Sequence, residues 1–131
     1  MCTYVMCRVT LSLRQSRFLA DGSEAQESTV WTVPLQIQNV QGDTQSVLMT
    51  GTEMTIKVAA TNINVNTGKH GPYRVSYEGK LFEKQLSAVA WKKVCVEDRA
   101  SLVEDTYAMA SAGLIDVSQP LLVCSVSILS N

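Results

Sequence analysis

Histidine is nearly missing from this sequence: only His70 among the 131 residues carries an imidazole. A protein zinc site usually draws three or four ligands from histidine, cysteine and carboxylate side chains, and no H-E-x-x-H motif is present. The sequence also lacks a G-x-S-x-G elbow and a glycine-rich loop with P-loop spacing. These absences predict no catalytic residue, no cofactor-binding residue and no metal ligand in this chain. His70 is expected to lie exposed in a loop.

The sequence also has no large excess of positive or negative charge and no long apolar run. The formal net charge is −1 and the longest basic run is Lys92–Lys93, so nucleic-acid binding, which needs a basic patch or stripe, is not expected. The apolar stretch 120–129 is shorter than the roughly 20 residues needed to cross a bilayer. The first twenty residues lack the continuous apolar core of a signal peptide. We therefore expect no membrane span and a cytoplasmic location.

The four cysteines do not form a recognisable framework. Cys2 and Cys7 are too far apart for a C-x-x-C pair, and Cys95 and Cys124 are isolated. Free thiols in a reducing compartment are therefore favoured over disulfides. A nucleophile pair that joins Cys95 or Cys124 to His70 is formally possible, but no local signature supports it.

Period-two alternation of apolar and polar residues dominates the first 79 residues. It is clearest in 8–14, where Val9, Leu11 and Leu13 alternate with polar residues, and it returns between 29 and 77. Pro34 has no backbone N–H to donate, so it predicts a bulge or an edge position in its strand. About six short strands, the last of them at 73–77, predict a mainly β fold, an Ig-like antiparallel β-sandwich.

Helical spacing replaces this pattern near Gly79, and two or three α-helices are expected to follow the sandwich. One helix is predicted from Leu81 to Val94, and another from Asp98, the expected N-cap, with Gly113 as the C′ residue. The predicted buried face of this second helix consists of Val103, Tyr107, Ala110 and Leu114, widened by Leu102 and Met109.

A further helix is predicted from Ser118, with Pro120 tolerated in its first turn. The change of period predicts two parts: a β-sandwich domain over 1–79, and the incomplete start of an α-helical domain over 80–131. The predicted helices would need a cover for their apolar faces, from other helices, from a second copy of the chain, or from the sandwich itself.

Two groups of residues that could carry chemistry are interpreted as structural. Acidic side chains cluster in the second predicted helix, at Glu97, Asp98, Glu104 and Asp105. Carboxylates can act as acids, bases or metal ligands, but capping, the helix dipole and pairing with arginine account better for these four. Trp31 and Trp91 are expected in the core or between domains, because aromatic side chains dominate buried area.

Four segments together resemble the zinc aminopeptidase family that includes aminopeptidase N and puromycin-sensitive aminopeptidase. Each segment alone is weak, but their order and spacing are specific, and they extend from about Leu11 to Leu121. The segments are Leu11–Leu19 (LSLRQSRFL), Val30–Leu35 (VWTVPL), Asn66–Tyr77 (NTGKHGPYRVSY) and Asp98–Gly113 (DRASLVEDTYAMASAG).

This resemblance implies a position inside a large enzyme that removes N-terminal residues from peptides. The matching part is the family's small β-sandwich and the beginning of its helical C-terminal domain. The motifs that hold zinc and bind substrate lie in the absent catalytic part, so no catalytic residue is carried over. The resemblance implies a non-catalytic interdomain segment whose partners are the catalytic and helical domains. The alternatives are a stand-alone Ig-like protein-binding module and self-association through exposed helices.

Overall fold

The computed structural model describes residues 8–26, 29–39, 42–59, 63–90 and 94–129. Within these ranges the predicted fold class is confirmed, since antiparallel strands in two sheets precede three helices. A short 3-10 turn, Thr67–Lys69, lies between the strands and the helices. The elements are β1 (Arg8–Arg14), β2 (Val33–Asn39), β3 (Thr44–Met49), β4 (Glu53–Ala59), β5 (Ile63–Val65), α1 (Lys80–Ala90), α2 (Val96–Ser111) and α3 (Ser118–Leu129).

The strands form two antiparallel sheets. In the first, β1 pairs with β4, and Leu11 lies opposite Ile56. In the second, the strand order is β3-β2-β5. Leu11 is buried while its neighbours Thr10 and Ser12 are exposed, so β1 shows the alternation that predicted a half-buried strand.

Pro34 occupies a local edge, as its missing donor predicted. It lies opposite Leu48 of β3, whereas β5 pairs with only the last three residues of β2, 37–39. Among the described residues, the backbone on the β5 side of Pro34 therefore faces no strand, and the carbonyl oxygen of Pro34 accepts a hydrogen bond from the Tyr73 hydroxyl at 3.2 Å. Proline is tolerated here because this position needs no N–H for a ladder hydrogen bond.

One hydrophobic core joins both sheets and all three helices. Ile37 of β2 is 1% exposed, and Val89 of α1 and Val123 of α3 are fully buried. The last strand, β5, ends at Val65, and the first helix begins at Lys80, next to Gly79, where helical spacing was expected to begin. The division into two domains at that point stays a prediction.

Helix α2 ends as its sequence predicted. Gly113 has φ +73°, its N–H donates to the Ala110 carbonyl, and the N–H of Leu114 donates to the Met109 carbonyl. This pair of bonds is a Schellman motif, which glycine favours at C′ because it has no Cβ to strain the left-handed backbone.

The predicted buried face of α2 is right for Leu102 and Met109, which are buried, and wrong for two of its other members. Tyr107 is 67% exposed and Leu114 is 54% exposed. The face that packs inward consists of Asp98, Leu102, Asp105, Thr106 and Met109. Apolar periodicity misplaced the face because the inward side is partly polar, and its carboxylates find donors on the sandwich. Asp98 is also not the N-cap, because α2 begins at Val96 with Cys95 in the cap position.

Two further expectations differ from the structure. Residues 73–78 form no strand, although Tyr77 is buried and Ser76 exposed as in a strand, because this segment finds side-chain partners in place of a ladder. Trp31 is 41% exposed and is held through its backbone: its N–H donates to Gln15 Oε1 at 3.1 Å, and its carbonyl accepts from Gln15 Nε2 at 2.9 Å. Trp91 lies outside the described residues.

Candidate functional site at the junction of the sandwich and helix α2

The loop after β5 is folded around the side chain of Asn66. Asn66 is buried and has a left-handed backbone with φ 61°, a conformation that asparagine tolerates. Its Oδ1 accepts from the Gly71 N–H at 2.8 Å, and its Nδ2 donates to the carbonyls of Gly71 and Tyr73 at 3.0 and 3.1 Å. These bonds close the loop and fix the direction of the Gly68 N–H.

Two carboxylates of α2 bind backbone N–H groups of the sandwich part. The N–H of Gly68 donates to Asp98 Oδ1 at 2.7 Å, and the N–H of Val75 donates to Asp105 Oδ2 at 3.0 Å. Asp98 and Asp105 are two helical turns apart and therefore share a face, separated along the axis by ~10.5 Å. We call these four residues the carboxylate clamp. It fixes the register of α2, because sliding the helix by one turn would leave both carboxylates buried without these donors.

Charged side chains surround the clamp. Arg74 donates to Asp105 Oδ1 at 3.2 Å and places its guanidinium 5.2 Å from the centre of the Phe18 ring, a distance within reach of a cation–π interaction. Lys69 pairs with Glu104, and this pairing lowers the pKa of Glu104. Because Glu104 is exposed, its ion pair contributes little to stability, whereas Asp105 is buried and depends on its donors.

A third contact holds the far end of α2. Gly22, in the loop after β1, has φ +75°, and a Cβ built there would lie 2.1 Å from the carbonyl oxygen of Ala112. Only glycine allows the two backbones to approach this closely. The sandwich therefore contacts α2 near its beginning, at its middle and at its end, through Gly68, Val75 and Gly22.

Side chains cap the outer edge of β5. The N–H of Val65 donates to the Tyr77 hydroxyl at 2.9 Å, and that hydroxyl donates to Asn64 Oδ1 at 3.2 Å. Gln85 of α1 donates to the carbonyl of Ile63. Burial raises the pKa of Tyr77, so its hydroxyl stays neutral and available as a donor. These bonds occupy backbone groups that an added strand would otherwise use.

The junction leaves a cavity of about 20 Å³, lined by Asn64, Tyr77, Asp98, Ser101 and Asp105 among others. This volume corresponds to about one water molecule. Several of the polar side chains gathered here form hydrogen bonds between elements.

The structure places the candidates from the sequence as follows. His70 and Cys95 are exposed and Cys124 is half-buried; both of these cysteines are free thiols, and burial raises the pKa of Cys95. The described residues contain no group of three or more His, Cys, Asp or Glu side chains that could hold a metal ion. None of the helices in the described ranges has the length and apolarity to span a bilayer. Cys2 and Cys7 lie outside the described residues.

Three members of the acidic cluster make contacts within the fold: Asp98 and Asp105 bind backbone donors, and Glu104 forms an ion pair. The contacts of Asp98 and Asp105 differ from those expected, since Asp98 does not cap α2 and Asp105 is buried. That the cluster carries no chemistry stays a prediction. Two other residues of the junction, Gly22 and Gln85, had no signal in the sequence. A glycine in an Asp-Gly turn and a glutamine in a predicted helix are both ordinary, and only the tertiary structure shows what they contact.

The pKa of Asp105 leads to a prediction about pH. Burial raises this pKa above 3.8, against the opposing effects of the Val75 N–H and Arg74. Between the unfolded and folded pKa values the folded state binds more protons, so this contribution to stability falls as pH rises. Because the asparagine of an Asp105→Asn variant has no ionisable side chain, this variant lacks the pH-dependent contribution of Asp105. We therefore expect the stability of the wild type minus that of Asp105→Asn to decrease as pH rises from 3.8 through the acid range.

Urea unfolding at closely spaced pH values measures this difference directly. Glu97→Gln is the matched control, because Glu97 is exposed on the same helix. A difference that increases with pH would show that Asp105 is stabilised as the anion, contrary to this prediction.

A small antiparallel β-sandwich is thus bound to a following helix by the carboxylate clamp, and the chain that forms them is similar in sequence to several known proteins. The chain is 34% identical over 115 residues to aminopeptidase 2 of Candida albicans, an alignment of 85% of this chain and 12% of that protein. It is 28% identical to puromycin-sensitive aminopeptidase of Caenorhabditis elegans, over 83% of this chain and 12% of that protein. Tricorn protease-interacting factor F2 of Thermoplasma acidophilum is 31% identical, over 83% of this chain and 13% of that protein.

The resemblance to the aminopeptidase family that includes puromycin-sensitive aminopeptidase is thereby confirmed. The chain spans about an eighth of the length of these curated relatives. No protein-family model matches the chain. Three of the four segments that carried the resemblance meet at the junction, since 66–77 supplies the donors of the clamp, 98–113 supplies its carboxylates, and Phe18 of the first segment lies beside Arg74.

Proposed function

We propose that this chain is a non-catalytic, structural interdomain segment of a zinc aminopeptidase, an enzyme that removes N-terminal residues from peptides. The contacts at the junction of the sandwich and α2 carry this proposal. Residues by which the chain resembles aminopeptidases bind α2 to the sandwich, and the cavity that they line is about 20 Å³.

The clamp suits a spacer because its donors belong to the backbone. The Gly68 N–H is fixed by the loop around Asn66, and the Val75 N–H belongs to the segment that follows this loop. Neither donor changes direction by a side-chain rotation, so α2 keeps one register and one orientation on the sandwich. A parent enzyme could use such a rigid joint to set the distance between its catalytic domain and the helices that follow, which would influence closure of the active site.

The partners implied by this proposal are the catalytic and helical domains of the parent, and zinc belongs to the catalytic domain. A cytoplasmic location fits the free thiols of Cys95 and Cys124. Fractionation of cells that express a tagged full-length parent tests this location.

A stand-alone Ig-like binding module is the second candidate. The observation in its favour is β3, whose residues Thr44–Met49 carry no charge and whose outer side pairs with no strand among the described residues. Such an edge could accept an added strand. The capped edge of β5 offers no equivalent site.

Peptidase activity and zinc content, measured on the same purified sample, test the absence of catalysis. We expect no turnover of aminoacyl-coumarin substrates and no stoichiometric zinc by mass spectrometry. A zinc-loaded preparation of a related aminopeptidase serves as the positive control. Turnover by this chain that a chelator abolishes would refute the proposal.

A chimera tests the interdomain role. The matching segment of Candida albicans aminopeptidase 2 is replaced by residues 11–121 of this chain. We expect the chimera to bind zinc and to retain turnover within about tenfold of its parent, because the rigid joint is preserved. A folded, zinc-loaded chimera without turnover would show that the segment does more than set a distance.

A further inference from the structure

The loop after β1 contains the one aspartate of this sequence that is followed by glycine, in the pair Asp21–Gly22. Such a pair is chemically labile, because glycine has no Cβ to shield its backbone nitrogen from the carboxyl group of the preceding residue. When this nitrogen attacks the carboxyl carbon, a five-membered succinimide ring forms, and hydrolysis of the ring yields either aspartate or isoaspartate. At position 21 this reaction would change the backbone at a point where the sandwich contacts α2.

The reaction requires no reagent other than water. The Gly22 nitrogen forms a bond to Cγ of Asp21, and the hydroxyl group of the neutral carboxyl leaves with the amide hydrogen as water. Asp21 is exposed, so water reaches the ring and adds across one of its two C–N bonds. Cleavage of the new bond restores aspartate. Cleavage of the original peptide bond leaves the chain connected through Cβ and Cγ of residue 21, which is isoaspartate.

Hydrogen bonds in the folded loop oppose this reaction. Asp21 Oδ1 accepts from the Ser23 N–H at 3.0 Å and from the Ser23 hydroxyl at 2.7 Å. These two bonds lower the pKa of Asp21, because they favour the carboxylate over the reactive neutral acid. The Gly22 N–H donates to the Leu19 carbonyl at 3.0 Å, so the hydrogen that must leave is held by another acceptor.

The contact with α2 holds the same glycine in place. A Cβ built at Gly22 would lie 2.1 Å from the carbonyl oxygen of Ala112. The nitrogen that must rotate towards the carboxyl group is bonded to the Cα that makes this close approach. The loop therefore has to leave the end of α2 before the ring can close.

Isoaspartate would keep the loop from returning to this position. It adds one carbon to the main chain, about 1.5 Å of extra path, and it leaves a free carboxylate on Cα of residue 21. The site at Gly22 has no room for even a Cβ. A lengthened and displaced backbone therefore cannot restore the approach to Ala112.

We propose that Asp21 is a modification site, where isoaspartate forms once the loop after β1 has left α2 and then prevents the loop from binding again. The folded joint protects the site, and opening of the joint exposes it. This inference concerns a loop of the chain itself and does not require the proposed interdomain role.

Ageing the full chain at neutral pH, folded in buffer and unfolded in urea, tests the site. Isoaspartate is measured by mass spectrometry of the peptide that contains Asp21, and independently by methyl transfer from S-adenosylmethionine with an isoaspartyl methyltransferase. We expect isomerisation to be at least about tenfold slower in the folded chain, because only the open fraction of molecules reacts. Ser23→Ala should react several-fold faster than the wild type in buffer and at the same rate in urea.

Asp116 is the matched control within the same chain. Its Oδ1 accepts from the Ser118 N–H at 2.8 Å, as that of Asp21 does from Ser23, but the next residue is valine. In urea, isoaspartate should form at Asp116 at least about tenfold more slowly than at Asp21, because the β-branched side chain crowds the attacking nitrogen.

Refolding measures the structural consequence separately from the reactivity. Chains aged in urea are diluted into buffer and treated briefly with a protease, which cleaves molecules that are open. The chains that remain intact should be depleted in isoaspartate by at least about fivefold, because the modified loop cannot close. Equal rates in buffer and urea, an unchanged rate for folded Ser23→Ala, an Asp116 as reactive as Asp21 in urea, or isoaspartyl chains that resist the protease as well as unmodified chains would each overturn the proposal.

Discussion

Replacing Asp98 and Asp105 together by alanine should cost about 3 to 4 kcal/mol of unfolding free energy, the largest loss expected from any pair of side chains at the junction. Each carboxylate accepts a backbone N–H of the sandwich part, and hydrogen bonds to charged groups contribute about 1.5 to 3 kcal/mol each. Because domains of this size are stable by only about 5 to 15 kcal/mol, the double variant should unfold at much lower urea concentration.

The single variants separate the two ends of the clamp. Asp105→Ala should cost less than Asp98→Ala, because removing Asp105 also removes a buried charge whose pKa is raised by that burial. The two losses should not add fully, since both carboxylates hold the same helix in one register. Glu97→Ala is the control for the helix dipole, because it removes an exposed acid from the same first turn.

Urea unfolding followed by far-UV circular dichroism measures these differences. A double variant as stable as Glu97→Ala would show that α2 is held by its apolar contacts alone. In that case the carboxylate clamp would have no part in fixing the helix.

Gly22→Ala is the second change with a large expected effect, about 3 kcal/mol. The new Cβ would lie 2.1 Å from the carbonyl oxygen of Ala112, and both atoms belong to backbone segments that cannot rotate away. The positive φ of Gly22 adds strain, which for residues other than glycine is of order 1 to 3 kcal/mol. The loop after β1 and the end of α2 must therefore separate.

Gly113→Ala provides a matched control for Gly22→Ala. Its φ of +73° is nearly that of Gly22, but a Cβ at Gly113 would meet nothing within 4 Å. We expect Gly113→Ala to cost about 1 kcal/mol from backbone strain and loss of the favoured C′ glycine. The difference between the variants isolates the contact with Ala112, and equal losses would mean that this contact does not constrain the fold.

Helix α2 is fixed to the sandwich at three points along its length. The N–H groups of Gly68 and Val75 and the close approach at Gly22 all involve backbone atoms, which are less free to adjust than side chains. If the chain acts as a spacer in a longer enzyme, this joint would transmit orientation without bending. Any movement of the helical part would then have to occur beyond α2.

Much of the fold could be predicted from the sequence because the signals are local. Alternation in 8–14 predicted β1, the missing donor of Pro34 predicted a local edge, and Gly113 predicted the end of α2. The segment 73–77 has the same alternation but forms no strand, because the Val75 N–H is taken by Asp105 of α2. In this segment the local pattern indicated that Tyr77 turns inward and Ser76 outward, but it did not indicate which atoms accept the backbone hydrogen bonds.

The sequence by itself determined that strands precede helices, that the first helix begins close to Gly79, and the resemblance to aminopeptidases. Each of these depends on residue types and spacings along the chain. Only the tertiary structure decided that the inward face of α2 is carried by Asp98 and Asp105, and that Tyr107 faces solvent. The physical reason is that a buried carboxylate is acceptable only where another part of the chain brings a donor to it. The spacing of residues in α2 contains no information about the positions of Gly68 and Val75, which supply these donors.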